Sequence, residues 1–545
     1  MREDRENLKL VNYDSSWKDK GYELPAYDRE QVRRDTQENP TWLHFGAGNI
    51  FRGFPAASLQ EILNQGIYNK GVIVTEGFDY EIIEKAYKPF DDLSLLVVLK
   101  SDGSMEKKVI ASVVESLMAD SNNQQDWSRL KEIFVKPSLQ MVSFTITEKG
   151  YSLVDSKGDY LGAVQEDFKL GYSKPANVMG KVTALLYERY LSGRTPIAMV
   201  SMDNCSHNGD KLYAAVKTYA ERWIEKGFME EGFMDYISNP QLVSFPWSMI
   251  DKITPRPDDK VRKMLEEDGF VDNEVIITNR NTYTAAFVNA EETEYLVIED
   301  SFPNGRPPLD KSGIIFTDRE TVDKVETMKV CTCLNPLHTA LAIFGCLLSF
   351  ETIWEEMKDP ELSKLVHGIG YTEGMPVVVD PGVLNPRDFI KAVLEVRLPN
   401  SFMPDTPQRI ATDTSQKLPI RFGETIKAYV KSDNLKVTDL TLIPLTIAGW
   451  CRYLMGINDE GEEFTPSPDP LLDEMQGYLK DVSLGQKELP KDVLKPILSN
   501  EKIFALNLYE VGLGEKIEGM FQEMIAGAGA VRATLKKYLI LNYSR

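Results

Sequence analysis

Lys329, Asn335 and His338 place an amine, a carboxamide and an imidazole within ten residues, just where the apolar stretch from Thr339 to Phe350 begins. Polar groups left without partners at a buried helix end cost on the order of 1–3 kcal/mol each, so three at one entrance point to a site. The same residues also have the form of an ordinary helix start, with Asn335 as N-cap, Pro336 at the first helical position and His338 as a satisfied core histidine. The segment alone leaves both readings open. A second constellation, Gly46-Ala-Gly48-Asn49-Ile50-Phe-Arg52-Gly53, follows the apolar run Trp42 to Phe45 and precedes a helical pattern through Leu59, Ile62 and Leu63. Strand, glycine turn and helix, in that order, let a backbone turn tightly against a pyrophosphate and offer amides to its charge. Gly46 and Gly48 make the turn, Asn49 and Ile50 open the helix, and Arg52 is expected to add a cationic contact. The third glycine falls at Gly53, later than in the usual fingerprint. Glu76 closes the next apolar run, Gly71 to Thr75, where an acid binds ribose hydroxyls and repels the extra phosphate of NADP; Asp79 is the reserve. The expected cofactor is therefore NAD.

These residues need elements to hold them. Apolar runs without alternation at 42–45, 71–75, 95–99, 139–147 and 196–201, separated by helical stretches, indicate a parallel sheet covered on both faces. Ligands bind outside the carboxyl ends of strands in such sheets. Further strands are expected at 275–278, 284–288 and 295–298. Beyond residue 322 the texture turns helical, at 341–356, 386–396, 426–430, 440–455 and 517–541. The expected organisation is an amino-terminal arm over 1–40, a Rossmann-type, doubly wound and mostly parallel α/β domain over 41–322, and a mainly α-helical carboxyl-terminal domain over 323–545.

The 545 residues exceed what one core usually supports, and the 42% hydrophobic content can fill two. A formal charge of −21 argues against nucleic acid or an anionic membrane as the main partner. The first ten residues have no apolar signal-like segment and Ala340 to Phe350 is too short to span a bilayer, so a cytoplasmic location with reduced thiols is expected. Cys331, Cys333 and His338 are too few for a structural zinc site, and no metal is expected.

Seven segments in order, FGAGNIFRGF (45–54), TITEKGY (145–151), SMDNCSHNG (201–209), FPWSMIDKITP (245–255), VIEDSFPNGRP (297–307), KVCTCLNPLHTAL (329–341) and RIATDTSQK (409–417), resemble the polyol-specific long-chain dehydrogenase/reductase family. That family includes mannitol 2-dehydrogenase, fructuronate reductase and tagaturonate reductase. The resemblance implies metal-independent hydride transfer between NAD and a secondary alcohol, with Lys329 as general base. Asn204 and Asn335 would hold the developing alkoxide, and His338 would orient the substrate oxygen. Asp251, Arg409 and Lys417 fall on its substrate contacts, although a salt bridge from Asp251 to Lys252 or Arg256, and a solvated loop for the other two, are the plain alternatives. Glu148, closing a strand, is a candidate proton relay or a simple cap. A lysine amine near its ordinary pKa of about 10.4 is a poor base at neutral pH, so burial or cationic neighbours such as Lys252, His338, Arg409 and Lys417 are expected to depress it.

One departure stands out. The family has four residues between this lysine and asparagine, and here there are five. An extra residue turns a side chain by about 100° on a regular helix, so a π-bulge or a helix restarting at Pro336 is expected to absorb it. The favoured substrates are a keto sugar acid and its aldonate, D-fructuronate and D-mannonate first, because Arg409, Lys417 and Lys252 offer cations to a carboxylate. Mannitol or tagaturonate are the alternatives, and a catalytically inactive NAD(H)-binding sensor is the reading from another class. The oligomeric state is left open.

Overall fold

A run of β-branched and aromatic residues with no polar alternation is stable only where both faces are covered, and the strands that carry the glycine turn meet that condition. In the computed structural model, which describes residues 8–543, β1 (Trp42–Phe45), β2 (Val72–Glu76), β3 (Val113–Met118), β4 (Met141–Phe144), β5 (Ile197–Ser201) and β6 (Val243–Ser244) form one six-stranded sheet. Its order is β3-β2-β1-β4-β5-β6 and every pairing is parallel. This is the doubly wound dinucleotide-binding order. Successive residues serve opposite faces: Trp42, Val72, Val74 and Val200 enter one core, and Leu43, Phe45, Ile73 and Met199 enter the other.

The chain divides into two units, the first reaching Asp323 and the second running from Lys324 with residues 101–103. Within the first unit two expectations are corrected. Ser94–Leu99 does not join the parallel series. It pairs antiparallel with Met105–Ile110 and parallel with Phe287–Glu291 in a separate four-stranded sheet. Its residues are buried throughout, so the pattern matched that of a doubly covered parallel strand. The edge strand β3 went unread because Glu115 and Ser116 break its apolar run. The stretch up to residue 40, read as an arm, is built into the unit from residue 8. Tyr22–Glu23 pairs with Lys107 and Lys108, and helix Arg29–Glu38 is capped by Asp28 and tied by Arg29 and Arg33 to Asp91.

The second unit is helical. Helix Asn335–Leu347 is buried on all sides from Thr339 onward, and so is the largely apolar Leu442–Leu454, which packs against it. A helix apolar all round belongs in a core. The stretch Arg319–Leu347 is long and apolar enough to cross a membrane, yet 78% of its apolar window is buried within the protein. The single helix expected over 517–541 is two, Gly514–Met524 and Ala530–Tyr543, parted where Gly527 and Gly529 take φ of 148° and 77°.

Candidate active site

In the first unit the site is built from backbone. Gly46 has φ of 107°, and a β-carbon there would stand 2.2 Å from the Thr145 carbonyl oxygen, so only glycine fits. Gly48 precedes the short helix Asn49–Gly53, and a β-carbon there would meet only open space. The chain thus presents a bare turn and first-turn amides with Asn49 and Ile50 half-buried beside it, a cradle that fits a pyrophosphate. Glu76 locks the turn from β2. Its carboxylate accepts from the amides of Ala47 at 2.9 Å, Phe78 at 2.9 Å and Asp79 at 3.3 Å, and burial raises its pKa. Each carboxylate oxygen has two lone-pair sites, so acceptor capacity remains for ribose hydroxyls. The expectation for Arg52 is corrected. Its guanidinium is buried at 1% exposure and donates to the Ala285 carbonyl, Thr284 Oγ1 and Asn49 Oδ1, so it braces the turn from behind.

Past the carboxyl ends of β4 and β5 a second clamp forms. Asp203 accepts from the amides of Ile146 and Thr147 and from the Tyr151 hydroxyl, which fixes the left-handed Thr147 at φ 64° and seats Asn204 next along the chain. Asn204 is exposed at the end of β5. Asn208 then ties the loop to Ser248, on the strand that ends at the buried Asp251. Glu148 is corrected as a relay: its side chain is 63% exposed and ion-paired with Lys211, so its charge is spent on the outer surface. Lys252 is likewise taken by Glu294 at 2.5 Å, in place of Asp251.

The second unit works with side chains. Helix Arg319–Met328 passes into a π-helical turn, Lys329–Cys333, closed by a hydrogen bond from the Leu334 amide to the Lys329 carbonyl. Leu334 then breaks the helix at φ −131°, ψ −62°, and a new helix starts at Asn335 with Pro336 in its first turn. Both devices expected from the extra residue are therefore present. Lys329 is buried at 3% exposure. Asn335 is inside the helix and Leu334 holds the cap position, with no side-chain cap hydrogen bond, so the capping reading fails. Among the described residues the Asn335 carboxamide has no hydrogen-bond partner.

His338 follows one turn later with its side chain 15% exposed and Nε2 3.9 Å from Asp405 Oδ2. Burial lowers its pKa to about 4 against the pull of Asp405, and Arg397, Arg421 and Arg409 lower it further. The imidazole is neutral at pH 7. Arg409 is 64% exposed and paired with Asp405. Lys417 donates to the carbonyls of Ile410 and Thr412, and burial, with Arg421 and Arg409 nearby, lowers its pKa to about 8. Arg421, on the π-helical turn Pro419–Gly423, donates to Thr339 Oγ1 at 2.7 Å. That turn packs against both Lys329–Cys333 and Asn335–Leu347. Asp203, Asp405 and Arg421 were missed in the sequence, although helical spacing offered a signal for two: Asp405 lies four residues before Arg409, and Arg421 four after Lys417. The thiols of Cys331 and Cys333 are free and raised to about 12 by burial, and no cluster of three metal-ligating side chains occurs among the described residues.

Comparison with known proteins agrees with both halves. Residues 40–311 match the mannitol dehydrogenase Rossmann domain and residues 321–525 the mannitol dehydrogenase C-terminal domain. The D-mannonate oxidoreductase of Thermotoga maritima is 55% identical over 98% of this chain and 99% of its own length. The mannitol 2-dehydrogenase of Cereibacter sphaeroides is 27% identical over 82% of this chain and 86% of its own. The solved Pseudomonas fluorescens mannitol 2-dehydrogenase, a ternary complex with NAD and D-mannitol, superposes with a TM-score of 0.67 at 26% identity, covering 95% of this chain and 97% of that one. A substrate-free D-sorbitol dehydrogenase has the same fold, with a TM-score of 0.77 at 24% identity over 94% and 97% of the two chains. The chain belongs to the mannitol dehydrogenase family and is an oxidoreductase.

Proposed function

We propose that the protein interconverts a keto sugar acid and its aldonate by NAD-dependent oxidation and reduction of a secondary alcohol, D-fructuronate and D-mannonate being the pair. The observation that carries this reading is the 55% identity, over nearly the whole of both chains, to the Thermotoga D-mannonate oxidoreductase. NAD, when bound, supplies the hydride chemistry. Gly46, Gly48, Asn49 and Ile50 hold its pyrophosphate and Glu76 its ribose. The Lys329 amine takes the proton of the substrate hydroxyl during oxidation and returns it during reduction. The carboxamide NH2 groups of Asn204 and Asn335 donate to the oxygen as charge grows on it. Neutral His338 orients that oxygen, and Asp251, Arg409 and Lys417 contact the rest of the sugar chain. The partner is a small molecule and the site of action the cytoplasm.

The inactive-sensor reading rested on the long Lys329 to Asn335 spacing, and the π turn followed by a restarted helix removes that ground. Following NADH absorbance with D-mannonate, D-altronate and D-mannitol, and with D-fructuronate in reverse, tests the proposal. Fastest turnover with the mannonate and fructuronate pair is expected. Oxidation of mannitol with no activity on mannonate overturns it.

A further inference from the structure

Two fully buried arginines of this protein, Arg189 and Arg452, spend their donors on backbone carbonyls. Arg189 donates to the carbonyls of Phe134, Lys136, Leu139, Thr195 and Pro196, and Arg452 donates to those of Met524, Ile457 and Asn458. Both spread their forks over fixed backbone acceptors, the arrangement of a structural arginine. Arg421 does not. Among the described residues its guanidinium makes one hydrogen bond, to Thr339 Oγ1, and no ion pair, so most of its five donors are unspent. None of its nitrogens is sealed off without a partner, so the unspent donors are not fully enclosed by protein atoms.

We propose that Arg421 binds the carboxylate of the substrate. This rests on the aldonate reading above and names the residue that would make an acid the preferred substrate. A cation withdrawn from water without an anion is costly, and a carboxylate is the planar partner that a guanidinium fork matches with two parallel hydrogen bonds. Burial alone, with no acid nearby, holds the Arg421 pKa down at about 10. The position is also right. The residue it touches, Thr339, follows His338, and its own turn packs on the turn that carries Lys329. The three cations first assigned to this task are less free: Arg409 is paired with Asp405, the Lys417 amine is tied to two carbonyls, and Lys252 is paired with Glu294.

The test compares D-mannonate with its uncharged amide, D-mannonamide, in wild type, Arg421→Gln and Arg421→Lys. Wild type should have a lower KM for the acid. Arg421→Gln should raise the KM for mannonate about 10- to 100-fold, the range lost with a charge-assisted hydrogen bond, while leaving the KM for the amide and the Kd for NADH within about twofold. Arg421→Lys, which keeps the charge without the fork, should fall between. NADH titration reports whether each variant is folded, and where Arg421→Gln does not accumulate, the fall of the amide-to-acid KM ratio in Arg421→Lys decides. An unchanged ratio in the folded variants overturns the role of Arg421 and leaves the aldonate reading standing. Wild-type oxidation of mannitol with none of mannonate overturns both.

Discussion

The turn at Gly46 and the turn at Lys329 solve one problem with opposite means. Each must present polar groups at the start of a helix beside an apolar core, and each helix is interrupted near a proline, at Phe54 before Pro55 and at Leu334 before Asn335-Pro336. At Gly46 the polar groups are backbone amides, so removing side chains is what makes the site, and Glu76 and Arg52 brace it from two sides. At Lys329 the polar groups are side chains, so the backbone itself is bent, by one π turn and one break, to aim them. The contrast teaches that loss of a side chain should act on different observables in the two places. In the second turn it should remove rate and leave the fold; in the first, adding a methyl should damage the fold or the cofactor fit.

The sharpest break of that contrast is Lys329→Ala. Loss of a general base should lower kcat by about two to four orders of magnitude while NADH titration gives an unchanged Kd. A rate within tenfold of wild type would move the base to water or another group and dissolve the distinction. Asn335→Ala comes next. An oxyanion donor removed costs about 10²–10³ in kcat, whereas an N-cap removed costs about 1 kcal/mol of stability. Because the carboxamide caps nothing, the rate should fall and the Tm should hold. A falling Tm with an intact rate would restore Asn335 as a cap.

The glycines divide the first turn in the same way. Gly46→Ala brings its methyl within 2.2 Å of the Thr145 carbonyl at a left-handed φ, which should cost about 3 kcal/mol by the usual scale of such strain, seen as a lower urea midpoint. Gly48→Ala meets no protein atom and should leave the midpoint alone while weakening NADH binding, because the methyl fills the cradle. Equal loss of stability in both variants would mean that Gly48 is there for the chain and not for the cofactor.

How much of this was legible follows from the same contrast. Glycine conformation and unalternated strands are local properties, so β1, β2, β4 and β5 and the turn between β1 and its helix could be read from Trp42-Leu43-His44-Phe45 and its like. Ser94–Leu99 carried the same texture into a different sheet, because burial on both faces does not say which neighbour covers them. The extra residue after Lys329 announced a helical irregularity, and the polypeptide used both available forms. Arg52 and Glu148 could not be placed, since whether a guanidinium meets a ligand or the Ala285 carbonyl, and whether a carboxylate meets Lys211, depends on elements far along the chain. Arg421 went unread for the reverse reason: its spacing from Lys417 could place it on the same helical face, but what sets it apart, the lack of an acidic partner among the described residues, exists only once the fold is made.

The smallest effect expected is on pH, and it separates His338 from the histidine beside the glycine turn. His44 is fully buried with Ser143 and Thr145 on its two nitrogens, and burial holds its pKa down to about 3. Both imidazoles are neutral in the folded protein and have a pKa near 6.5 when unfolded. Between the two values the unfolded chain binds more protons, so each contributes stability that is complete above pH 6.5 and is lost as the pH falls toward its folded value. For His338, lowered to about 4, the loss amounts to about 3 kcal/mol at most. His338→Gln should therefore flatten part of the decline in urea midpoint between pH 6.5 and 4.5 and should also slow turnover. His44→Gln should flatten the same decline and spare the chemistry, apart from any loss of the hydrogen bonds that steady β1 against β4. A decline of unchanged steepness in His338→Gln would mean that Asp405 keeps the imidazole charged in the folded state, and its role would then be that of a cation toward the substrate.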